Sequence, residues 1–173
     1  MGKYNDLVNI IDSMRKEAPE TYKRYWPSST EDDKLMHARS RAFIHLFLKV
    51  KFGLTEFVDR EALITDDPSD GGIDAYYIDP VDKVIYLIQS KFRNSDSNFQ
   101  SKEIALQDIL AMDINRIFDG EETDESGTSY NGKILNFIEK INDISDMPKY
   151  TRNVILLANV KKNLAPKLKR LTG

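Results

Sequence analysis

Gly71-Gly72-Ile73-Asp74, followed by Val84-Ile85-Tyr86-Leu87-Ile88-Gln89-Ser90-Lys91, decides how this chain is read. The two apolar runs predict strands at about 73–79 and 84–92, with Pro80-Val81-Asp82-Lys83 between them. If those four residues form the connecting loop, Asp79 pairs with Val84 and Ile78 with Ile85. Tyr76 then pairs with Leu87 and Asp74 with Gln89. Side chains alternate along a strand, so Lys91 falls on the face of Gln89. An acid, an amide and a lysine thereby gather at one end of an otherwise apolar face. A one-residue slip in register would scatter them. A lysine buried beside an acid is expensive, and the hydrophobic pattern does not call for one.

These residue types suit one kind of chemistry. Asp74, the Gln89 amide oxygen and the Ser90 carbonyl can ligate a hard cation such as Mg²⁺ or Mn²⁺. Lys91 can position a water for attack on a phosphodiester or steady the developing charge. The glycines before Asp74 admit a bulky substrate backbone. The bland readings are a turn acid at Asp74 and a snorkelling strand-end lysine at Lys91.

Working outward, residues 4–26 predict an amphipathic helix with Leu7, Ile10, Ile11, Met14, Ala18, Tyr22 and Tyr25 on one stripe. Trp26-Pro27 stops it. Thr30 reads as the cap of a second helix running to Phe52, with Gly53 after its end. His37, Arg41, His45 and Lys49 fall four apart on that helix. The stripe reads as a solvated rim or as a contact for a phosphate backbone. Residues 55–64 read as a strand, and 66–72 as a turn-rich loop in which Asp70 is a loop acid. A helix is expected over 100–118, a mobile acidic loop over 119–127 and a helix over 131–143. Arg152–Val160 reads as a strand buried on both faces. Lys161–Arg170 is a basic end. The order fits a layered α/β domain with a mixed central sheet.

The chain has 173 residues, 40% hydrophobic and 31% charged, which fits one globular domain with a sizeable core. No cysteine is present, which excludes disulfides, thiolate zinc sites and a cysteine nucleophile. The charged N-terminus does not read as a signal peptide, and no apolar run reaches membrane-spanning length. A cytoplasmic protein is expected. The net charge of −3 is not that of an obvious nucleic-acid binder, so any such contact needs local basic patches.

Asp74, with Ala75 to Ile88 between, then Gln89-Ser90-Lys91 resembles the motif of the PD-(D/E)XK nuclease superfamily. Gly-Gly-Ile-Asp before a strand ending Gln-Ser-Lys is similar to the Mrr-like restriction endonucleases. It is closer still to the N-terminal nuclease domain of abortive-infection phage-resistance (AIPR-type) proteins. The resemblance is strongest over 70–93 and looser over 30–160. It implies a restriction-endonuclease-like α/β/α layered fold over 31–173, after a helical extension at 1–30, as the N-terminal part of a longer protein. It also implies a Mg²⁺- or Mn²⁺-dependent DNA endonuclease serving antiviral defence or restriction. Asp74, Gln89 and Lys91 would be catalytic, and Asp74, Gln89 and Ser90 would hold the metal. DNA is the expected partner and no membrane is; the resemblance leaves room for a homodimer and a further C-terminal domain. Two departures stand out. Gln89 replaces the usual second acid, and Arg39–Lys51 carries no glutamate where the family has one on its first core helix. Glu31, Asp32, Glu56 and Glu61 are the candidate substitutes, and Gln107 is a further residue that can reach such a site. The alternative is a catalytically degenerate nuclease-fold module that binds nucleic acid or a protein partner.

Overall fold

A computed structural model describes residues 2–28, 30–102 and 112–159. The elements run α1 (Lys3–Arg15), α2 (Asp32–Phe52), α3 (Phe57–Glu61), β1 (Ala75–Asp79), β2 (Val84–Lys91), α4 (Asp96–Ser101), α5 (Ile114–Phe118), α6 (Gly132–Asn142) and β3 (Thr151–Ala158). The strands form a mixed sheet in the order β1-β2-β3. The fold is thus mixed α/β. The described chain divides into two compact units. One comprises 2–61, 90–102 and 157–159. The other comprises 62–89 and 112–156.

In the first unit, Ile11 and Met14 of α1 pack on Ala42 and Phe43 of α2. α1 is shorter than its periodicity suggests and stops at Arg15. Pro19 explains this: it lacks an N–H and its ring would clash with the Arg15 carbonyl in a continuing helix. The chain then turns through Tyr22 to a 3-10 turn at Lys23–Tyr25. Gly53 closes α2 in the left-handed conformation at φ 69°, as the sequence indicates. Glu31, not Thr30, occupies the position before α2.

The polar stripe on α2 divides, with His37 exposed and Lys49 half-buried at its two ends. Arg41 and His45 are buried. Their partner is Glu61 of α3, whose Oε1 accepts from Arg41 Nη2 at 2.9 Å. Residues 55–64 were expected to form a strand; they form α3 instead, with only Ile64 bridging Ala75. The reason is burial: Phe57, Arg60 and Glu61 are buried at helical spacing and bring a ring, a cation and an anion to one side. The Tyr25 hydroxyl donates to Glu61 Oε2, and it accepts from Arg41 Nε at 3.2 Å. Arg60 Nε donates to His45 Nδ1 at 3.2 Å. An arginine only donates, so Nδ1 is bare and the imidazole proton sits on Nε2. Nε2 lies 2.8 Å from the Tyr25 hydroxyl and 3.1 Å from Glu61 Oε2. Burial pushes the His45 imidazole below its usual range, and Arg60 and Arg41 oppose its protonation further. Phe57 stacks on the imidazole at 4.5 Å. Glu17 joins the outer end, paired with Arg60 and Lys49.

The second unit is built on the hairpin. The observed pairs are Ala75 with Ile88, Tyr76 with Leu87, Tyr77 with Tyr86, Ile78 with Ile85 and Asp79 with Val84. The register read from the alternation is therefore correct for Tyr76, Ile78 and Asp79, while the expected pair of Asp74 with Gln89 falls outside the ladder. Tyr76, Ile85 and Leu87 present one face to Ile134, Phe137, Ile138 and Ile141, the apolar stripe of α6. Tyr76 stacks on Phe137 at 4.2 Å, so it is a core residue. Residues 119–127 are not a loose loop. Asp124 Oδ1 accepts from the N–H groups of Ser126 and Thr128, and Thr123 bridges Ser129. The expected helix over 100–118 is not continuous, because Lys102 is already extended and α5 begins afresh at Ile114. Ile104, Leu106, Gln107, Ile109 and Leu110 lie outside the described residues, as does the basic end Lys161–Arg170. β3 is not buried on both faces: Thr151–Val154 are exposed and Ile155–Ala158 half-buried. It is the last strand in the sheet order, and an edge strand has one neighbour to cover it. Among the described residues no helix is long and apolar enough to cross a membrane.

Candidate metal centre

The loop entering β1 carries four acids, Asp66, Asp67, Asp70 and Asp74. Its path is fixed by backbone chemistry. Gly71 and Gly72 have φ of 61° and 74°, and Ser69 joins them at 61°. Gly71 is required for space as well. A Cβ there would come within 3.1 Å of Ile117 Cδ1 and Tyr130 Cε1. The Asp74 carbonyl accepts from the N–H groups of Thr65 at 2.9 Å and Asp66 at 3.1 Å. The loop thus doubles back on itself.

Asn131 clamps the turn from outside. Its Nδ2 donates to the carbonyls of Thr65 at 3.0 Å, Pro68 at 3.3 Å and Asp67 at 3.4 Å. Its Oδ1 accepts from Lys133 N–H and Ile134 N–H, both at 3.0 Å, which caps α6. Lys133 reaches the same loop from the first turn of α6, its Nζ donating to the Ile64 carbonyl at 2.6 Å.

This folding-back brings Asp66, Asp70 and Asp74 together, each offering a carboxylate oxygen within 4.8 Å of the others. Asp70 is held above the usual carboxylate range, first by burial and then by the charge of Asp66. The Gly72 N–H, which donates to its Oδ1 at 2.8 Å, pulls the other way.

Gln89 meets this loop from β2. It is 3% exposed, and its Nε2 donates to the Gly72 carbonyl at 3.3 Å. Its Oε1 is buried and has no hydrogen-bond partner among the described residues. A buried amide oxygen without a donor is rare in a folded protein. Asp74 lies just beyond the regular ladder, its N–H donating to the Ile88 carbonyl at 2.9 Å. Ser90 and Lys91 are the last residues of β2 and both are half-buried. Lys91 is therefore not the fully buried lysine that the pattern suggests. It ends its strand, where a long stem can lie along apolar surface while the ammonium stays wet.

The structure brings Asp74 and Gln89 to the same loop and adds Asp66 and Asp70. Asp66 is missed by sequence reasoning altogether. Its only signal is the spacing of four between Asp66, Asp70 and Asp74, which means nothing until the loop is known to fold back. Glu61, a candidate for the absent helix glutamate, is engaged by Arg41, Tyr25 and His45. Glu31 holds Lys34 and Ser28, while Asp32 and Glu56 are exposed.

No protein-family model, curated protein or solved structure matches this chain.

Proposed function

We propose that this chain is a divalent-metal-dependent DNA endonuclease domain with a restriction-endonuclease-like layered fold, acting in defence or restriction. The observation that carries the reading is the buried, unpartnered Gln89 Oε1 beside a loop that crowds Asp66, Asp70 and Asp74. A hard cation fits that donor set. Carboxylate and amide oxygens are the ligands Mg²⁺ and Mn²⁺ prefer, and an orphaned oxygen is supplied with a partner. Asp66, Asp70, Asp74 and Gln89 would hold the ion, with the Ser90 carbonyl as a further donor. The bound ion would polarise a phosphoryl oxygen and acidify a water.

The chain's own residues do the rest. Asp66 and Asp70 restore the negative charge that Gln89 removes from the motif and that α2 lacks. The positive-φ turn at Gly71 and Gly72 folds the loop back so that its acids converge. Lys91 shares the strand face of Gln89 by alternation and contributes the cation that steadies charge on the phosphate.

The test is plasmid nicking with Mg²⁺ or Mn²⁺ against EDTA, alongside calorimetric titration of Mn²⁺. Wild type should nick only with metal. Asp74→Ala should lose both nicking and Mn²⁺ binding, and Lys91→Ala should lose nicking while still binding Mn²⁺. Nicking by folded Asp74→Ala at the wild-type rate would refute the reading.

A further inference from the structure

The exposed surface of the first unit holds a second feature, a pocket of about 350 Å³ beside the 3-10 turn. Its wall is formed by Lys23, Arg24, Trp26, Lys34 and His37, with Glu31 as the one acid. We propose that it binds unpaired nucleic acid, with one base on the Trp26 indole and the flanking phosphates on Lys23 and Arg24.

Trp26 carries the argument. It is 39% exposed and lines the pocket. Its only polar atom is turned inward, because Nε1 donates to the Ala18 carbonyl at 3.1 Å. What the indole can offer a ligand is therefore hydrocarbon, with no hydrogen bond left to give. Such a ring stacks; it does not read a polar edge. The ring is also held still. The preceding residue, Tyr25, is fully buried in the Arg41, His45 and Glu61 network, and the Arg15 guanidinium donates to its carbonyl. Pro27 follows and restricts the backbone on the other side. A platform fixed before binding loses little entropy when it is used.

The charge around the platform selects the ligand. Three permanent cations face one carboxylate, in a chain whose net charge is −3. Glu31 pairs with Lys34 and accepts from Ser28 N–H at 3.0 Å, so those two charges offset each other and the excess of positive charge lies at Lys23 and Arg24. An aromatic platform ringed by cations matches a chain that alternates flat rings with anions. A duplex keeps its bases stacked inside and offers none to the indole, so the strand must be unpaired. The exposed acids Asp32 and Asp33 follow directly at the start of α2, outside the wall, and limit the contact to a few phosphates.

The ligand class rests on the nucleic-acid reading proposed above, but its test does not require cleavage. Trp26 is the only tryptophan, so its fluorescence reports on this pocket alone. The full chain is titrated in EDTA with a short oligothymidylate and with an abasic oligonucleotide of equal charge. Oligothymidylate should quench the indole and bind about tenfold more tightly than the abasic strand. Two phosphate contacts give a slope of log affinity against log salt of about −1.4. Trp26→Ala should erase the difference between the two strands, and Trp26→Phe should keep it. Lys23→Glu with Arg24→Glu should weaken both strands together. Equal affinity for the two strands, an unquenched indole, or tighter binding of duplex would overturn the proposal. The comparison of strands uses wild-type protein, so a variant that misfolds does not blunt it. Failed nicking with successful quenching would count against the nuclease reading alone.

Discussion

Two polar clusters, one buried and one half-buried, lie in the two units, and they are built on opposite principles. Around Glu61, opposite charges meet at hydrogen-bond distance and the groups satisfy one another. The Tyr25 hydroxyl donates once and accepts twice, and each Glu61 oxygen has a donor. Around Asp70, like charges are pressed together and a neighbouring amide oxygen has no donor. The first arrangement needs nothing further and serves the fold. The second leaves repulsion and an amide oxygen unanswered, and is where the proposed ion would bind.

The contrast predicts effects of opposite sign. Glu61→Ala should be the most damaging, because it leaves Arg41 as an uncompensated buried charge beside the Tyr25 hydroxyl. A loss of about 3–5 kcal/mol is expected in urea unfolding. A loss below about 1 kcal/mol would mean the cluster is wetter than its burial indicates. Gly71→Ala should destabilise by about 1–3 kcal/mol through its positive φ and its crowding against Ile117 and Tyr130. It should also weaken Mn²⁺ binding, since it moves the acids that the turn arranges. Normal Mn²⁺ affinity in this variant would detach the turn from the site.

The pH dependence follows from His45. Its folded value lies below its unfolded one of about 6.5, so it is neutral in both states above that pH and makes no contribution there. As pH falls below about 6.5 the unfolded chain takes a proton that the folded chain refuses, and stability drops. Stability should fall between pH 7 and 5.5, and His45→Gln should flatten the fall. A slope that survives the substitution would locate the proton elsewhere. Asp70→Asn should do the reverse of Glu61→Ala. It relieves repulsion while keeping an oxygen for the Gly72 N–H, so the metal-free protein should gain up to about 1 kcal/mol. The same variant should bind Mn²⁺ more weakly, which calorimetry would measure. Destabilisation by Asp70→Asn would erase the distinction between the clusters.

What could be read from the sequence was local. The hairpin register followed from alternation, because one buried face admits only one pairing. The cap at Gly53 and the stripe of α6 were legible for the same reason. The network around Glu61 was not, because its partners come from α2, α3 and the Tyr25 turn, and α3 carries Phe57 and Val58, which favour strands. Its helix is imposed by the burial of Arg60 and Glu61, a tertiary effect that overrides propensity. Arg41 and His45 therefore looked like a solvated stripe. Asp66 was hidden because a loop's return path has no period.

Asn131 joins two structures that the chain keeps far apart in sequence. Its amide nitrogen grips carbonyls of the acidic loop while its oxygen starts α6. One rotamer serves both, so the loop cannot let go without uncapping the helix. The N–H groups of Lys133 and Ile134 become a remote gauge of the loop. Their exchange with solvent should slow when Mn²⁺ tightens it and quicken when Asn131→Ala cuts the link.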